Sequence, residues 1–399
     1  MLTKPNLDHE ILSSMDIPSV VTIGLGTTAS MIAARSEAAK RDLLGIDSSL
    51  SIQAVRAMDV DIMDSIVVLR DKYSKGEMDE TKYNTDELRN LFRLSQSEIL
   101  QLTVPEGREL AERMDVEYAY LKDFVDREVL SLLKGGNQAG ARAWRKLGVV
   151  IARWNLEDAI RSSIGSAVEQ VIDNQSVKRA MNLGFKNVVR YPMKVFLIYS
   201  VCGGAGSGAT VDISYLLRRM AREKRLEDKM HMVHVILMPG FVQQIDPEES
   251  KASSYAVLKE LDAMMSKNFV FRARYGNNAQ DQVEYTGEIA DEVYLFENSS
   301  DTTSLRDLSR FTGMVSDFLV AQQLSPMVNV LRSRMSNIET KTQETPYSDE
   351  DIYGKLHYVA GGGISRLTFP RNHISQYCRF RAARLTLEQL LNGGERDED

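Results

Sequence analysis

The chain has 399 residues, and 43% of them are hydrophobic, so it can bury the core of one large α/β domain or of two to three smaller ones. It carries 49 basic and 56 acidic side chains, a net charge of −7. The hydrophobic content argues against disorder as the main state, and the acidic net charge argues against a polycation that binds nucleic acid through its overall charge.

The residues that usually signal disulfides, zinc or export are sparse. Cys202 and Cys378 are too few for a disulfide framework, and neither has a zinc-ligand spacing. The five histidines include no HExxH-type pair. The first twenty residues lack the apolar run of a signal peptide, and no stretch is long and apolar enough to span a bilayer. We therefore expect a cytoplasmic protein.

The N-terminal part predicts a strand, a glycine turn and a helix. The β-branched run 19–25 ends in the turn Gly24–Ser30, and a helical pattern follows over 31–40. The run 42–47 predicts a second strand that ends at Asp47. The charged, helix-prone segment 73–126 predicts a helical insertion rather than a continuation of the sheet.

The rest of the chain alternates strands and helices. The run 193–201 is the most apolar and predicts a strand buried on both faces. Further strands are predicted at 231–238, 291–296 and 356–360. Helices are predicted at 144–173, 247–267, 305–334 and 373–391, and another follows the apolar strand and ends at Lys224. This order predicts an α/β fold with a doubly wound, mainly parallel sheet and helices on both faces.

The strongest chemical signal is the run Gly203–Gly208, which lies between the apolar strand and a helix start. It contains four glycines, Gly203, Gly204, Gly206 and Gly208. Main-chain N–H groups and the positive end of a helix dipole converge at such a turn, which favours phosphate oxygens. The hydroxyls of Ser207 and Thr210 are candidate extra donors. The alternative is that the glycines only permit a tight turn.

The spacing of residues within the two glycine runs distinguishes between the known phosphate-binding motifs. Ala209 stands where a Walker motif has lysine, so the chain is not a P-loop NTPase. Gly24-x-Gly26-x-x-Ala29, with Asp47 placed as a ribose-binding acid, matches a short Rossmann fingerprint and by itself suggests NAD.

The run Gly203–Gly208 closely resembles the Gly-Gly-Thr/Ala-Gly-Ser/Thr-Gly signature of the tubulin/FtsZ superfamily, where it wraps the phosphates of GTP. The order of the surrounding elements is similar: the first glycine turn, a loop at 135–142, the signature, and a strand that ends in Met238–Phe241. The insertion and the helix with SYAVLKELD look most like divergent prokaryotic tubulin-like proteins.

The resemblance implies that the chain binds GTP or GDP with Mg²⁺. It implies phosphate contacts from both glycine turns, a metal or phosphate contact near Asp47 or Ser48, closure over the γ-phosphate by the 135–142 loop, a ribose contact from Glu260, and base contacts from Asn298 and Phe311. The implied cofactor-binding residues are Gly24, Gly26, Thr27, Thr28, Asp47, Gly135, Gly136, Arg142, Gly203, Gly204, Ala205, Gly206, Ser207, Gly208, Glu260, Asn298 and Phe311. Three of these residues have a plain alternative role: Asp47 as the cap of a strand end, Arg142 as a solvated helix residue, and Phe311 as a core residue.

We expect Gly206→Val to abolish nucleotide binding and to leave the fold largely intact.

Two features depart from the family pattern. Ala205 replaces the usual threonine of the signature and removes one hydroxyl donor. The NxDxxD loop, through which a neighbouring subunit completes GTP hydrolysis, is absent. Asp349 and Asp351 are the nearest acids that could position a water in a neighbour's site, although a solvated loop explains them as well. Nucleotide binding is thus better supported than hydrolysis.

The domain boundaries follow from the same resemblance. Residues 1–335 are expected to form the nucleotide-binding domain, with the helical insertion at about 73–130. Residues 336–399 resemble the start of the family's second domain. We expect that this domain is either lost or continued in a longer protein.

Three functions remain open at this point. The first is a tubulin-like GTP-binding protein that assembles head to tail and hydrolyses GTP slowly or with a partner. The second is a non-polymerising switch or scaffold whose insertion docks a protein partner. The third is an NAD-dependent oxidoreductase, which leaves the run Gly203–Gly208 unexplained and lacks a catalytic histidine or a Tyr-x-x-x-Lys pair.

Overall fold

We analysed a computed structural model of the chain. It describes residues 9–48, 50–60, 75, 93–135, 141, 144–238, 247–278, 281–298, 308–324, 359–363 and 371–392. The chain divides into two compact units, residues 1–363 and residues 364–399.

A parallel sheet of seven strands forms the centre of the first unit. The strands are β1 (Asp16–Leu25), β2 (Gln53–Asp59), β3 (Ile99–Gln101), β4 (Asn187–Ser200), β5 (Met230–Leu237), β8 (Glu292–Phe296) and β9 (Val359–Gly361). Their order is β3-β2-β1-β4-β5-β8-β9, and every described pair is parallel. This confirms the predicted doubly wound, mainly parallel sheet.

Helices cover both faces of this sheet. They are α1 (His9–Ser14), α2 (Thr27–Leu44), α3 (Gly107–Arg113), α4 (Arg127–Ser131), α5 (Arg145–Asn155), α6 (Arg161–Ile172), α7 (Asn174–Asn182), α8 (Gly204–Glu223), α9 (Pro247–Met264) and α10 (Leu308–Gln323). Helices α2 and α10 pack together on one face, whereas α5, α6 and α8 pack on the other. A π-helical turn, Leu156–Ile160, joins α5 to α6, so the predicted helix at 144–173 is nearly continuous.

The adjacent strands β1 and β4 carry a buried core at the centre of the sheet. Residues 17–25 of β1 are all buried, and Val195–Tyr199 of β4 have no exposed surface. The chain order of the strands runs in opposite directions on either side of this pair. The carboxyl ends of β1 and β4 therefore form the topological switch point, where open α/β sheets bind their ligands.

The predicted strand at 42–47 is wrong. Helix α2 continues through Leu44 and ends at Gly45, whose φ of 64° and N–H bond to the Arg41 carbonyl form a left-handed C-cap. Leu44 packs in a core cluster with Leu12 and Ile17, so its apolar character serves a helix face rather than a strand. The second strand is β2, which begins at Gln53.

The predicted helical insertion is only partly helical in its described residues. It contains α3 and the start of α4, and it also contains β3, which pairs with β2 and continues the sheet. Residues 61–74 and 76–92 lie outside the described part. The prediction that the sheet does not continue here was wrong because three residues are too few to show an alternating pattern.

An antiparallel hairpin, β6 (Val270–Arg274) and β7 (Gln282–Thr286), was not predicted. Phe271 on its inner face stacks on Tyr215 of α8, with ring centroids 4.0 Å apart. Strand β9 joins the sheet of the first unit, whereas the sequence analysis assigned it to the second domain.

The second unit contains one described helix, α11 (Arg371–Asn392). Side chains 377–387 of this helix are exposed, and they include Tyr377, Phe380 and Leu387. In the described part of the chain, no helix is long and apolar enough to cross a membrane.

Candidate functional site

The first glycine turn connects β1 to α2 at the carboxyl edge of the sheet. Gly26 has a φ of 85°, which favours glycine, and its N–H donates to the Met58 carbonyl at 2.8 Å. A Cβ on Gly24 would lie 2.5 Å from the Ala29 carbonyl oxygen, so a side chain there would push α2 off the strand. The turn therefore needs both glycines. Thr27 is exposed and Thr28 is half-buried at the start of α2.

The second glycine turn follows β4 and meets the first. A Cβ on Gly26 would lie 3.5 Å from the Gly206 nitrogen, and a Cβ on Gly206 would lie 2.6 Å from the Leu25 carbonyl oxygen. Gly203 caps α8 with extended backbone, and a Cβ on it would meet nothing within 4 Å. The two turns thus place main chain from distant segments side by side at the switch point.

The signature lies within the first turns of α8 rather than before the helix. The Ser207 hydroxyl donates to the Gly203 carbonyl, and the Thr210 hydroxyl donates to the Gly206 carbonyl at 2.7 Å. Both predicted donors thus bond to carbonyls one turn back in their own helix. Ala205 is half-buried in the same turn.

Two glycines of the signature have a packing role. A Cβ on Gly208 would lie 2.6 Å from the Arg145 carbonyl oxygen, and a Cβ on Gly148 would lie 1.9 Å from the Gly204 carbonyl oxygen. Helices α5 and α8 therefore cross in backbone contact at Gly148, Gly204 and Gly208. The glycine-rich composition of the signature therefore serves the packing of these two helices.

Asp59, at the carboxyl end of β2, contacts the first turn. Its carboxylate accepts hydrogen bonds from the Thr27 hydroxyl and, at 2.8 Å, from the Val60 N–H. Burial raises the pKa of Asp59, and these two hydrogen bonds offset only part of that rise. Sequence reasoning missed this residue, although an acid at the end of the run Gln53–Asp59 was the available signal.

Asp47 does not lie at this site. It is exposed beyond the C-terminal end of α2, whereas the glycine turn is at the N-terminal end. The helix has 18 residues, which corresponds to roughly 27 Å. Asp47 and Ser48 are therefore at the opposite edge of the sheet, and the acid that contacts the first glycine turn is Asp59.

Asn298 lies just after the carboxyl end of β8, at the same edge of the sheet as the glycine turns. Its side chain is 8% exposed, and its Oδ1 atom is buried without a hydrogen-bond partner. Buried polar atoms rarely lack a partner in native proteins. The unsatisfied acceptor of Asn298 lies at the edge of the sheet where open α/β sheets bind their ligands.

Phe311 is a core residue of α10. It is 2% exposed, so its ring presents no free face on which a base could stack. The predicted base contact is therefore replaced by the plain alternative, in which Phe311 belongs to the apolar stripe of its helix.

The carboxylate of Glu260 on α9 is bound by Arg145 at the start of α5. Both guanidinium Nη atoms of Arg145 contact it, and the Arg145 Nε donates to the Ser207 carbonyl at 3.3 Å. Arg145 thus connects α9 to the signature helix. Glu260 was predicted as a ribose contact, and the structure gives it this structural ion pair instead.

Of the remaining predicted site residues, the structure describes Gly135. The Gly135 N–H donates to the Glu106 carboxylate at 2.9 Å. Gly136, Arg142, Asp349 and Asp351 lie outside the described residues. No described group of three or more His, Cys, Asp or Glu side chains could hold a metal ion by itself.

Comparison with known families identifies the family to which the chain belongs. The sequence profile of a family described as "Tubulin like" matches residues 21–388. The chain belongs to this family. The match covers most of the tubulin-like chain and confirms the resemblance based on the glycine signature.

Among solved structures, the tubulin-like chain is similar to CetZ from Methanosaeta thermophila strain DSM 6194. The sequence identity is 14%, the match covers 76% of this chain and 53% of that chain, and the TM-score is 0.37. The chain thus spans about half the length of that protein. No curated protein matches it. The assignment of the chain to the tubulin-like family therefore depends on the match to the family profile.

A buried polar cluster lies beneath the signature of the tubulin-like chain. His234 on β5 has no exposed surface, and its two ring nitrogens lie 3.2 Å from the Tyr199 hydroxyl and 3.2 Å from the Ser214 hydroxyl. Burial, with a smaller contribution from Arg218, lowers the pKa of His234 to about 3. The ring is therefore neutral in the folded protein at physiological pH.

His234 should make the fold sensitive to acid. In the unfolded chain a histidine takes up a proton below a pH of about 6.5, whereas the folded chain excludes it until about pH 3. Because the unfolded state binds the extra proton, stability is lost as pH falls through this window, by about 1.4 kcal/mol per pH unit. Denaturant unfolding of His234→Gln should show a weaker loss between pH 6 and 4 than wild type. Parallel pH profiles would contradict this assignment.

Proposed function

We propose that this tubulin-like chain binds GTP with Mg²⁺ at the carboxyl edge of β1 and β4. The observation that supports this most directly is the meeting of the two glycine turns, with Gly26 beside Gly206 and open space at Gly203. Main-chain amides at a helix start hold phosphate oxygens without a lysine. The NAD alternative is weaker, because Asp47 lies at the far edge of the sheet and cannot act as the ribose-binding acid.

The base end of the proposed site is at Asn298. Its buried Oδ1 accepts hydrogen bonds only, so a base with ring and exocyclic N–H donors on one edge satisfies it. Guanine presents two such donors side by side, whereas the corresponding edge of adenine has one donor next to an acceptor. The unsatisfied atom therefore supports guanine over adenine.

The metal end of the proposed site is at Asp59. A carboxylate and a neighbouring hydroxyl, here from Thr27, are hard oxygen donors of the kind that Mg²⁺ prefers. Mg²⁺ commonly uses one or two carboxylates together with phosphate oxygens and waters. The donor set fits the ion, which would neutralise phosphate charge beside the buried acid.

Calorimetric titration with GTP, ATP and NAD, each with and without Mg²⁺, tests this function. We expect GTP to bind tightest, and we expect chelation of Mg²⁺ to weaken its binding. Binding of NAD in preference to GTP, or no binding of any nucleotide, would refute the proposal.

We further propose that the chain assembles head to tail with nucleotide between subunits. Membership of the tubulin-like family supports this, and a heterologous contact of that kind extends into open filaments. Light scattering should rise when GTP and Mg²⁺ are added, in proportion to protein above a threshold concentration. GTP-saturated protein that stays monomeric would instead favour the non-polymerising switch.

Hydrolysis would require acids from the next subunit, and Asp349 and Asp351 are the candidates. Phosphate release should then rise more steeply than protein concentration. We expect the double variant Asp349→Asn with Asp351→Asn to abolish this release while GTP binding is kept.

A further inference from the structure

Four buried side-chain atoms in the described part of the chain lack a hydrogen-bond partner: Gln53 Oε1, Gln101 Nε2, Arg190 Nε and Asn298 Oδ1. Two of them, in Gln101 and Asn298, lie at the carboxyl edge of the sheet. Gln53 begins β2, and Arg190 lies in the first third of β4, so both are far from this edge. Unpaired buried atoms are rare, and their presence at a ligand-binding edge requires an explanation.

Gln101 is the last residue of β3 and pairs in register with Asp59 of β2. Its neighbours Leu100 and Leu102 pack into the core on the α8 face of the sheet. Because side chains alternate along a strand, Gln101 lies on the opposite face. Asp59 is on that same face, where the hydroxyl of Thr27 binds it.

The order of groups along the edge gives the nucleotide a direction. The base end, at Asn298, follows β8, the glycine turns follow β4 and β1, and Asp59 follows β2. A chain of phosphates that passes from the glycine turns toward Asp59 approaches β3. Strand β3 is two strands from β1, which corresponds to about 10 Å.

The chemistry of the two unpaired atoms matches the two ends of such a ligand. Asn298 Oδ1 is an acceptor at the end where a base has donors. Gln101 Nε2 is a donor at the end where a terminal phosphate has only acceptors. We propose that the Gln101 amide donates a hydrogen bond to the terminal phosphate of the bound nucleoside triphosphate, so that the site distinguishes triphosphate from diphosphate.

This inference rests on the proposed GTP site and makes Gln101 a specificity-determining residue within it. Loss of the donor should weaken the binding of the triphosphate alone, since a diphosphate does not reach β3. A hydrogen bond to a charged phosphate oxygen is strong, and its removal reduces affinity by at least about tenfold.

The test is calorimetric titration of the full chain with GDP and with a non-hydrolysable GTP analogue, both with Mg²⁺. In Gln101→Met, which keeps the length and removes the amide, we expect at least about a tenfold loss for the analogue and unchanged GDP affinity. In Gln101→Glu the loss for the analogue should be larger, because a carboxylate repels the phosphate. The matched control is Gln282→Met on the exposed face of β7, which should change neither affinity.

A melting experiment on the ligand-free protein provides a second readout. Gln101→Met should melt at or above the wild-type temperature, because it removes a buried donor that has no partner. Melting below wild type would show that the amide is used in the fold, and it would overturn the inference.

The outcomes separate the inference from the proposed function. The inference alone is overturned if wild type binds both nucleotides and Gln101→Met keeps the wild-type ratio of the two affinities. Equal losses for GDP and the analogue also overturn it. Wild type that binds neither nucleotide overturns the proposed function and the inference together.

Discussion

Gly203→Val is expected to reduce GTP affinity by at least about a hundredfold, roughly 2.7 kcal/mol, while the protein stays as stable as wild type. A Cβ at this position meets no atom within 4 Å, and the backbone angles of −80° and 140° suit a β-branched residue. The valine methyls would occupy the space in which phosphate oxygens approach the main chain. Calorimetry with GTP and denaturant unfolding check the two parts of this prediction.

Gly203 is a better test position than Gly206. We expected Gly206→Val to leave the fold largely intact, but a Cβ there would lie 2.6 Å from the Leu25 carbonyl oxygen. That substitution would separate the two glycine turns, and lost binding would then show only a damaged fold. If Gly203→Val keeps wild-type GTP affinity, the phosphates do not lie at these turns.

Gly148→Ala is expected to destabilise the protein by about 2–3 kcal/mol. The added Cβ would lie 1.9 Å from the Gly204 carbonyl oxygen and 2.6 Å from the Gly204 carbonyl carbon, and neither can move without a shift of α8 against α5. Since Gly204 begins the signature helix, we also expect weaker GTP binding. Chemical unfolding and calorimetry measure the two effects.

Gly165→Ala is the matched control in the adjoining helix, α6. Its Cβ would lie 3.4 Å from the flexible Met220 methyl group, so the alanine fits. Alanine is the better helix former, and we expect a gain of about 0.5–1 kcal/mol with unchanged GTP affinity. Similar effects from both substitutions would contradict the close helix crossing at Gly148.

Much of the fold could be predicted because its elements have strong local patterns. The β-branched run of β1 and the apolar run of β4 predict buried parallel strands, and the glycines that follow each run mark the turns. The hairpin β6–β7 and the three-residue strand β3 were missed. Their short segments carry too few alternating residues, and pairing with partners distant in sequence stabilises them.

The site was predicted less completely than the fold. The sequence identifies glycines but does not separate those that leave open space, such as Gly203, from those in helix contact, such as Gly208. It placed Phe311 against a base, whereas the residue is core. The apolar stripe of the helix allowed both a core position and a base contact for Phe311, and tertiary packing decided between them.

The sequence by itself determined the family and the existence of two glycine turns after buried strands, because both depend on short contiguous runs. The tertiary structure decided which acid accompanies those turns. Asp47 follows the first turn more closely in sequence, yet α2 carries it to the far edge of the sheet, and β2 then returns the chain to Asp59. A helix moves the chain away from the turn at which it begins, because each residue adds about 1.5 Å along the axis. Parallel strands that end at the same edge of the sheet bring residues distant in sequence close together.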